Sequence, residues 1–160
     1  GLAPPGAAAR EEDHVFQPDP EAIVWRLHLR AGPDAVYELL ATDAGRARFW
    51  AEEAVERDGA IDFVFPGGLR WRGEILAREP GRLFSVVYYG GSRATFTLAD
   101  DGAGGTDLTL SDAGVPPADR AEVTAGWVSV LLALKAAADF GVDLRNHDPA
   151  RTWEQGYAEN

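Results

Sequence analysis

The sequence predicts an α+β domain: a curved antiparallel sheet of about seven strands around one long C-terminal helix, with two short helices after the first strand. Three observations predict it. From Ile23 to Ala113, apolar residues recur at every second position, in short runs broken by Gly, Pro and Asp. A short early stretch and a long late one switch to helical spacing. The chain order is a strand, two short helices, a series of hairpin strands, then a long helix. It separates helices from strands instead of alternating them, as α+β architecture does.

Each element has its own signal. Residues 1–20, rich in Pro, Gly, Ala and acids, read as a disordered leader. Ile23, Trp25, Leu27 and Leu29 then alternate with Val24, Arg26, His28 and Arg30, giving a strand with one apolar face. Pro33 suits a first helical position, Asp34 suits a first turn, and Val36, Leu39 and Leu40 follow at helical spacing. A second short helix over 43–50 is expected to end on Phe49 and Trp50. Residues 54–58 carry a weak strand signal, and Ile61, Phe63 and Phe65 share one side of the next strand. After the turn at Pro66-Gly67-Gly68, Leu69, Trp71, Ile75 and Ala77 point one way, and Arg70, Arg72, Glu74 and Arg78 mostly the other. Residues 82–90 are apolar on both sides, as in a covered central strand. Ala94, Phe96 and Leu98, then Leu108 and Leu110, alternate on either side of the turn-rich loop 100–105.

Pro116-Pro117 closes the strands, and residues 118–140 read as a helix. Val123, Trp127, Val130, Leu131 and Leu134 form one apolar stripe along it. At 1.5 Å per residue such a helix is about 33 Å long, and Gly141 is placed to stop it. A twisted sheet of this size can curl around the helix. Where small residues such as Gly73, Ala94 and Ala133 face the gap, an apolar cavity is expected. The domain spans 21–145, with residues 146–160 as a tail packed on the body.

Composition narrows the function classes. With 160 residues and 46% hydrophobic content the chain is long enough for one sizeable core. The absence of cysteine removes disulfides, thiolate metal sites and cysteine nucleophiles, and fits a reducing cytoplasm. A net charge of −11 disfavours nucleic acid and anionic lipid surfaces as partners. The N-terminal residues lack the basic-then-apolar layout of a secretory signal. No apolar run approaches the roughly 20 residues that span a bilayer, so no membrane insertion is expected. Ser85, Ser92, Ser111 and Ser129 lie outside any nucleophile elbow. His14, His28 and His147 are not at ligand spacing, so no metal is expected, and nothing calls for a cofactor.

Several stretches resemble a known family in order and spacing: DAVYELLAT (34–42) followed by Phe49-Trp50, FVFPGG (63–68), WRGEILAREPGRLF (71–84), TFTLADDGAGGTDLTL (95–110) and GWVSVLLALK (126–135). Over roughly residues 22–140 the chain is similar to the START-like (SRPBCC, helix-grip) superfamily. Within it the similarity is to the branch named for homologues of a heat-shock chaperone's ATPase activator (AHSA-like). DLRNHDPARTWEQGY (143–157) looks like the ending of a bacterial subgroup. The resemblance implies the helix-grip fold and a pocket. Members of the superfamily bind lipids, polyketides or other apolar ligands. Some act as aromatases or cyclases, some assist chaperones, and a few protect producers of reactive natural products. No catalytic set is shared by all, so none is carried over.

The expected role is therefore binding of a hydrophobic small molecule between helix and sheet. The candidate lining is Trp25, Phe49, Trp50, Phe63, Phe65, Trp71, Tyr88, Phe96, Trp127, Leu131 and Leu134. Each aromatic has two readings, as core filler or as a flat wall for a ligand. Arg70, Arg72 and Arg93 are candidate polar anchors, but their strand positions place them outside. An enzymatic alternative needs a titratable group in the pocket, for which Tyr88 and His147 are the candidates. A third alternative is a protein partner, basic enough to suit the acidic surface, or a self-protecting role in which a reactive product cleaves the chain at a pocket glycine such as Gly73.

In the tail, the neighbours His147 and Asp148 rarely face one another, so Asp143 or a distant acid is the better partner for the imidazole. Asp148-Pro149 is expected to start a last helical turn. It would place Trp153 and Tyr157 on one face, folded back over the cavity mouth.

Overall fold

The computed structural model describes residues 22–159. The expected leader over 1–20, with His14, lies outside them. Seven strands form one antiparallel sheet: β1 (Ala22–Leu29), β2 (Glu53–Arg57), β3 (Ala60–Val64), β4 (Arg70–Glu79), β5 (Leu83–Val87), β6 (Arg93–Asp100) and β7 (Thr106–Ala113). Their order is β1-β7-β6-β5-β4-β3-β2, a meander from β2 to β7 onto which β1 adds at the far edge. Register follows the alternation of side chains. Phe63 lies opposite Trp71, Phe84 opposite Phe96, Phe96 opposite Leu110, and Leu98 opposite Leu108. Such cross-strand apolar pairs are worth about 0.2–1 kcal/mol each.

Gly73 corrects an expectation. A Cβ there would lie 1.7 Å from the Val87 carbonyl oxygen, so the glycine permits a close approach of two backbones and leaves no gap. Nearby, the β4–β5 register shifts between Ile75 and Ala77, the kind of bulge that bends a strand. Ala94 is fully buried in the packed core.

Helix α1 (Pro33–Ala41) buries Val36, Leu39 and Leu40. Helix α2 is shorter than expected, Asp43–Arg46, because the Arg46 carbonyl accepts from both Phe49 N–H (3.2 Å) and Trp50 N–H (2.9 Å) and turns the chain. The turn drives Phe49 and Trp50 into the core. Arg46 is itself fully buried, and its guanidinium donates to the carbonyls of Ala54 (2.8 Å) and Leu40 (3.0 Å) and to Asp43. Burial pushes its pKa down against the pull of Asp43.

The long helix α3 spans Arg120–Phe140, after a 3₁₀ turn at Pro117–Asp119 that takes up the first residues expected to be helical. Trp127, Leu131 and Leu134 are buried against the sheet, and Val123 and Val130 pack on the core's edge. Gly141 stops the helix in the left-handed conformation (φ 65°), its N–H bonded back to the last turn. Taken with its leading turn, the rod from Pro117 to Phe140 is, by length and composition alone, long and apolar enough to cross a bilayer, a test that a core helix also passes; here its apolar stripe faces the sheet. Two ties fix it. At its start, the Arg120 guanidinium donates to the Ala22 carbonyl (2.8 Å). At its end, the Asp139 carboxylate accepts from Arg30 N–H (2.9 Å) and Ala31 N–H (3.0 Å).

Candidate functional site

Aromatic rings fill the middle of the space between α3 and the sheet. Trp50 lies at the centre, its ring centroid 5.1 Å from Phe63, 5.4 Å from Phe96, 5.9 Å from Tyr88 and 6.2 Å from Trp127. Two buried indoles find acceptors: Trp50 Nε1 donates to Tyr88 Oη (3.0 Å), and Trp127 Nε1 donates to Asp112 Oδ2 (2.8 Å). Such pairing is what buried indoles and hydroxyls need.

Beside this cluster, under the N-terminal half of α3, a cavity of about 140 Å³ remains. Phe65 and Trp71, stacked at 5.0 Å, with Tyr88 and Tyr89, form the sheet side. Val123, Gly126, Trp127, Val130 and Ala133 form the helix side. Pro66, Leu69, Glu122, Ser129, Arg145, Trp153 and Glu154 also lie on the wall, and the exposure of Leu69, Glu122 and Glu154 marks where it opens to solvent.

Of the candidate lining residues, Phe49, Trp50, Phe65, Trp71, Tyr88 and Trp127 lie on the cavity. Phe63, Phe96, Leu131 and Leu134 are packed inside the core, and Trp25 is half-buried at its edge. Period and burial tendency place both groups on the inner surface. Only the three-dimensional position of each ring decides whether it meets a neighbour or a void. Tyr89, Gly126, Arg145, Glu122 and Glu154 were not anticipated. Gly126 had a signal: a glycine within the helix's apolar stripe, where a Cβ would meet nothing within 4 Å. Tyr89 reaches the wall because the 3₁₀ turn Tyr89–Gly91, with Gly90 at φ 72°, breaks the strand alternation.

Tyr88 is largely buried, and burial pushes its pKa well above the usual tyrosine range, with Trp50 pulling weakly the other way. It is a neutral hydroxyl that accepts from Trp50 and can itself act as a donor. Arg70, Arg72 and Arg93 are exposed, as their strand positions predict.

The tail is strapped across the cavity mouth. Arg145 donates to the carbonyls of Ala51 and Ala47, 2.7 Å each, and to Asp143. His147 bridges two acids, Nε2 to Asp143 (2.7 Å) and Nδ1 to Glu52 (2.5 Å), which raise its pKa. Burial alone would raise the pKa of Asp143, but hydrogen bonds from Arg145 and His147 outweigh it and hold the carboxyl at about 2. The expectation that His147 pairs with Asp143 or a distant acid matches this geometry. His147 does not line the cavity, so the structure does not bring it together with Tyr88.

The expected cap at Asp148 is corrected. Asp148 closes a tight turn instead, accepting from Ala150 N–H (2.8 Å). The last helical turn is a 3₁₀ segment, Trp153–Gln155, capped by Thr152. Trp153 folds over the cavity as expected, but the left-handed Gly156 turns Tyr157 away, and it is exposed.

No family model matches the chain, and no curated protein does. Solved structures do. The Aha1 dimer from Colwellia psychrerythraea superposes with a TM-score of 0.66 at 22% identity, covering 75% of this chain and 97% of that one. CalU16 from Micromonospora echinospora gives 0.60 at 27% identity, covering 72% of each. DynU16, described as a protein in the dynemicin biosynthetic locus, gives 0.65 at 21% identity, covering 79% of this chain and 49% of that one. The seven-stranded sheet, the two helices after β1 and the closing α3 are the elements of the helix-grip fold, and on them this chain is a structural match to the Aha1-like proteins of the START-like, or SRPBCC, superfamily.

Proposed function

We propose that the protein binds a compact apolar small molecule in the cavity beneath the N-terminal half of α3. The observation that carries this reading is a void of about 140 Å³ walled in large part by tryptophan, tyrosine and phenylalanine, directly beside the buried core cluster that holds the same residue types. An apolar cavity of roughly 150 Å³ is large enough to hold a benzene-sized molecule. The Tyr88 hydroxyl supplies a polar contact of the kind that orients a ligand in such a site.

Titration with 1-naphthol, followed by tryptophan fluorescence and thermal melting, tests this. Binding is expected to quench the emission and to raise the Tm by several degrees at about 100 times Kd, where linkage gives about 2.7 kcal/mol. Gly126→Leu, which places a side chain in the void, is expected to abolish both responses. A wild-type protein that shows neither response, or a Gly126→Leu protein that binds as well as wild type, overturns the proposal.

The match to DynU16, a protein in the dynemicin biosynthetic locus, favours a natural product as the ligand. A self-protecting role would then place cleavage at Gly126, the glycine that lines the cavity, and not at Gly73. For a cyclase role, the cavity offers Tyr88 as a weak acid and leaves His147 outside.

A further inference from the structure

The charged side chains on the cavity wall are Glu122, Glu154 and Arg145. They are not equivalent. Arg145 is already spent within the protein, on the Asp143 carboxylate and on the carbonyls of Ala47 and Ala51. Among the described residues, no arginine, lysine or histidine pairs with Glu122 or Glu154. Both are exposed at the mouth, in a protein whose net charge is −11. Glu122 also lies in the first turn of α3, where it offsets the positive end of that helix. Among the described residues on the wall, an anionic ligand would therefore meet two carboxylates without a cationic partner, and one cation, Arg145, already engaged.

The rings add the same preference from inside. Trp71 has Phe65 stacked on it at 5.0 Å and Tyr89 edge-on at 5.2 Å, and Tyr88 stacks directly on Trp127 at 4.6 Å where sheet and helix meet beside the cavity. Trp153 comes down from the tail. An aromatic face carries negative potential, and tryptophan carries the most, so a box of such rings attracts positive charge that is weakly hydrated.

We infer that the cavity selects a compact organic cation, an aromatic or alicyclic ammonium compound, over a neutral hydrocarbon or an acid of the same shape. This rests on the cavity being a ligand site and adds the charge of the ligand. The cationic end lies where the rings meet the mouth, between ring faces and the Glu122 and Glu154 carboxylates, and the apolar body lies deeper against the remaining wall.

The test uses two isosteres, N,N,N-trimethylanilinium and tert-butylbenzene, which share a shape and differ in charge. Each is titrated into the full chain, followed by tryptophan fluorescence at low ionic strength. The cation is expected to bind at least tenfold more tightly. That advantage should fall to less than threefold in the Glu122→Gln/Glu154→Gln variant and in 0.5 M salt, and Gly126→Leu should abolish binding of both. Equal or tighter binding of tert-butylbenzene overturns the inference and leaves the cavity reading standing. A cation advantage that survives in the double variant overturns the role given to the carboxylates. Cation binding that persists in Gly126→Leu places the site elsewhere and overturns it too. Binding of neither probe removes the ligand site and the inference together.

Discussion

Asp112 shows how much one side chain can carry here. It lies on the inward side of β7, after Leu108 and Leu110, and is fully buried. Oδ2 accepts from Trp127 at 2.8 Å, while Oδ1 has no hydrogen-bond partner among the described residues. Burial pushes its pKa up, against the pull of the Trp127 hydrogen bond. An acid whose folded pKa is raised above its unfolded value subtracts stability once ionised. The penalty is absent below pH 3.8, the unfolded value, and develops as pH rises through the folded pKa. Asp112→Asn removes the charge and keeps an acceptor for Trp127. It should therefore raise the Tm at pH 8 by roughly 2–4 °C, equivalent to about 1 kcal/mol, and converge with wild type near pH 4. Melting curves at the two pH values check this, and equal or lower stability at pH 8 would contradict it. The sequence carried a signal for this residue, an acid in phase with two inward leucines, which alternation alone reads as an interruption.

At the scale of elements, α3 behaves as a rod held at both ends, with the cavity beneath its N-terminal half. Its C-terminal tie is the stronger. The Asp139 side chain is fully buried and accepts backbone N–H groups from Arg30 and Ala31, while Lys135 reaches both it (3.2 Å) and the His28 carbonyl. Burial works to raise the Asp139 pKa, but these donors prevail and lower it. Asp139→Ala leaves two backbone donors, one exposed and one half-buried, without their charged acceptor, and it should cost about 1–2 kcal/mol, measured by urea unfolding. A loss under 0.5 kcal/mol would show that the tie contributes little. Helix and strand identities were legible because period 2 and period 3.6 differ over short windows, as from Ile23 to Leu29 and from Val123 to Leu134. Ends were less so. At the end of α2 and in the tail, hydrogen bonds specific to the folded chain decide where a helix stops, such as those from Phe49 and Trp50 to the Arg46 carbonyl.

For the molecule as a whole, the order of elements was readable from residues 22–140, and the tail's fold-back was readable from Trp153. The location of the void was not. Aromatics that fill and aromatics that line are the same residue types on the same inner surface. The difference between Phe63, enclosed by Trp50, Trp71 and Tyr88, and Phe65, on the cavity, arises from the curvature of the sheet and the placement of the strap. The most direct measurement is a crystal of the full chain under xenon pressure, since xenon settles against apolar walls in cavities of this size. The predicted result is a xenon site bounded by Trp71, Tyr88, Val123 and Trp127. Xenon bound only elsewhere, or side chains closing that space, would contradict the existence of a ligand cavity between the helix and the sheet.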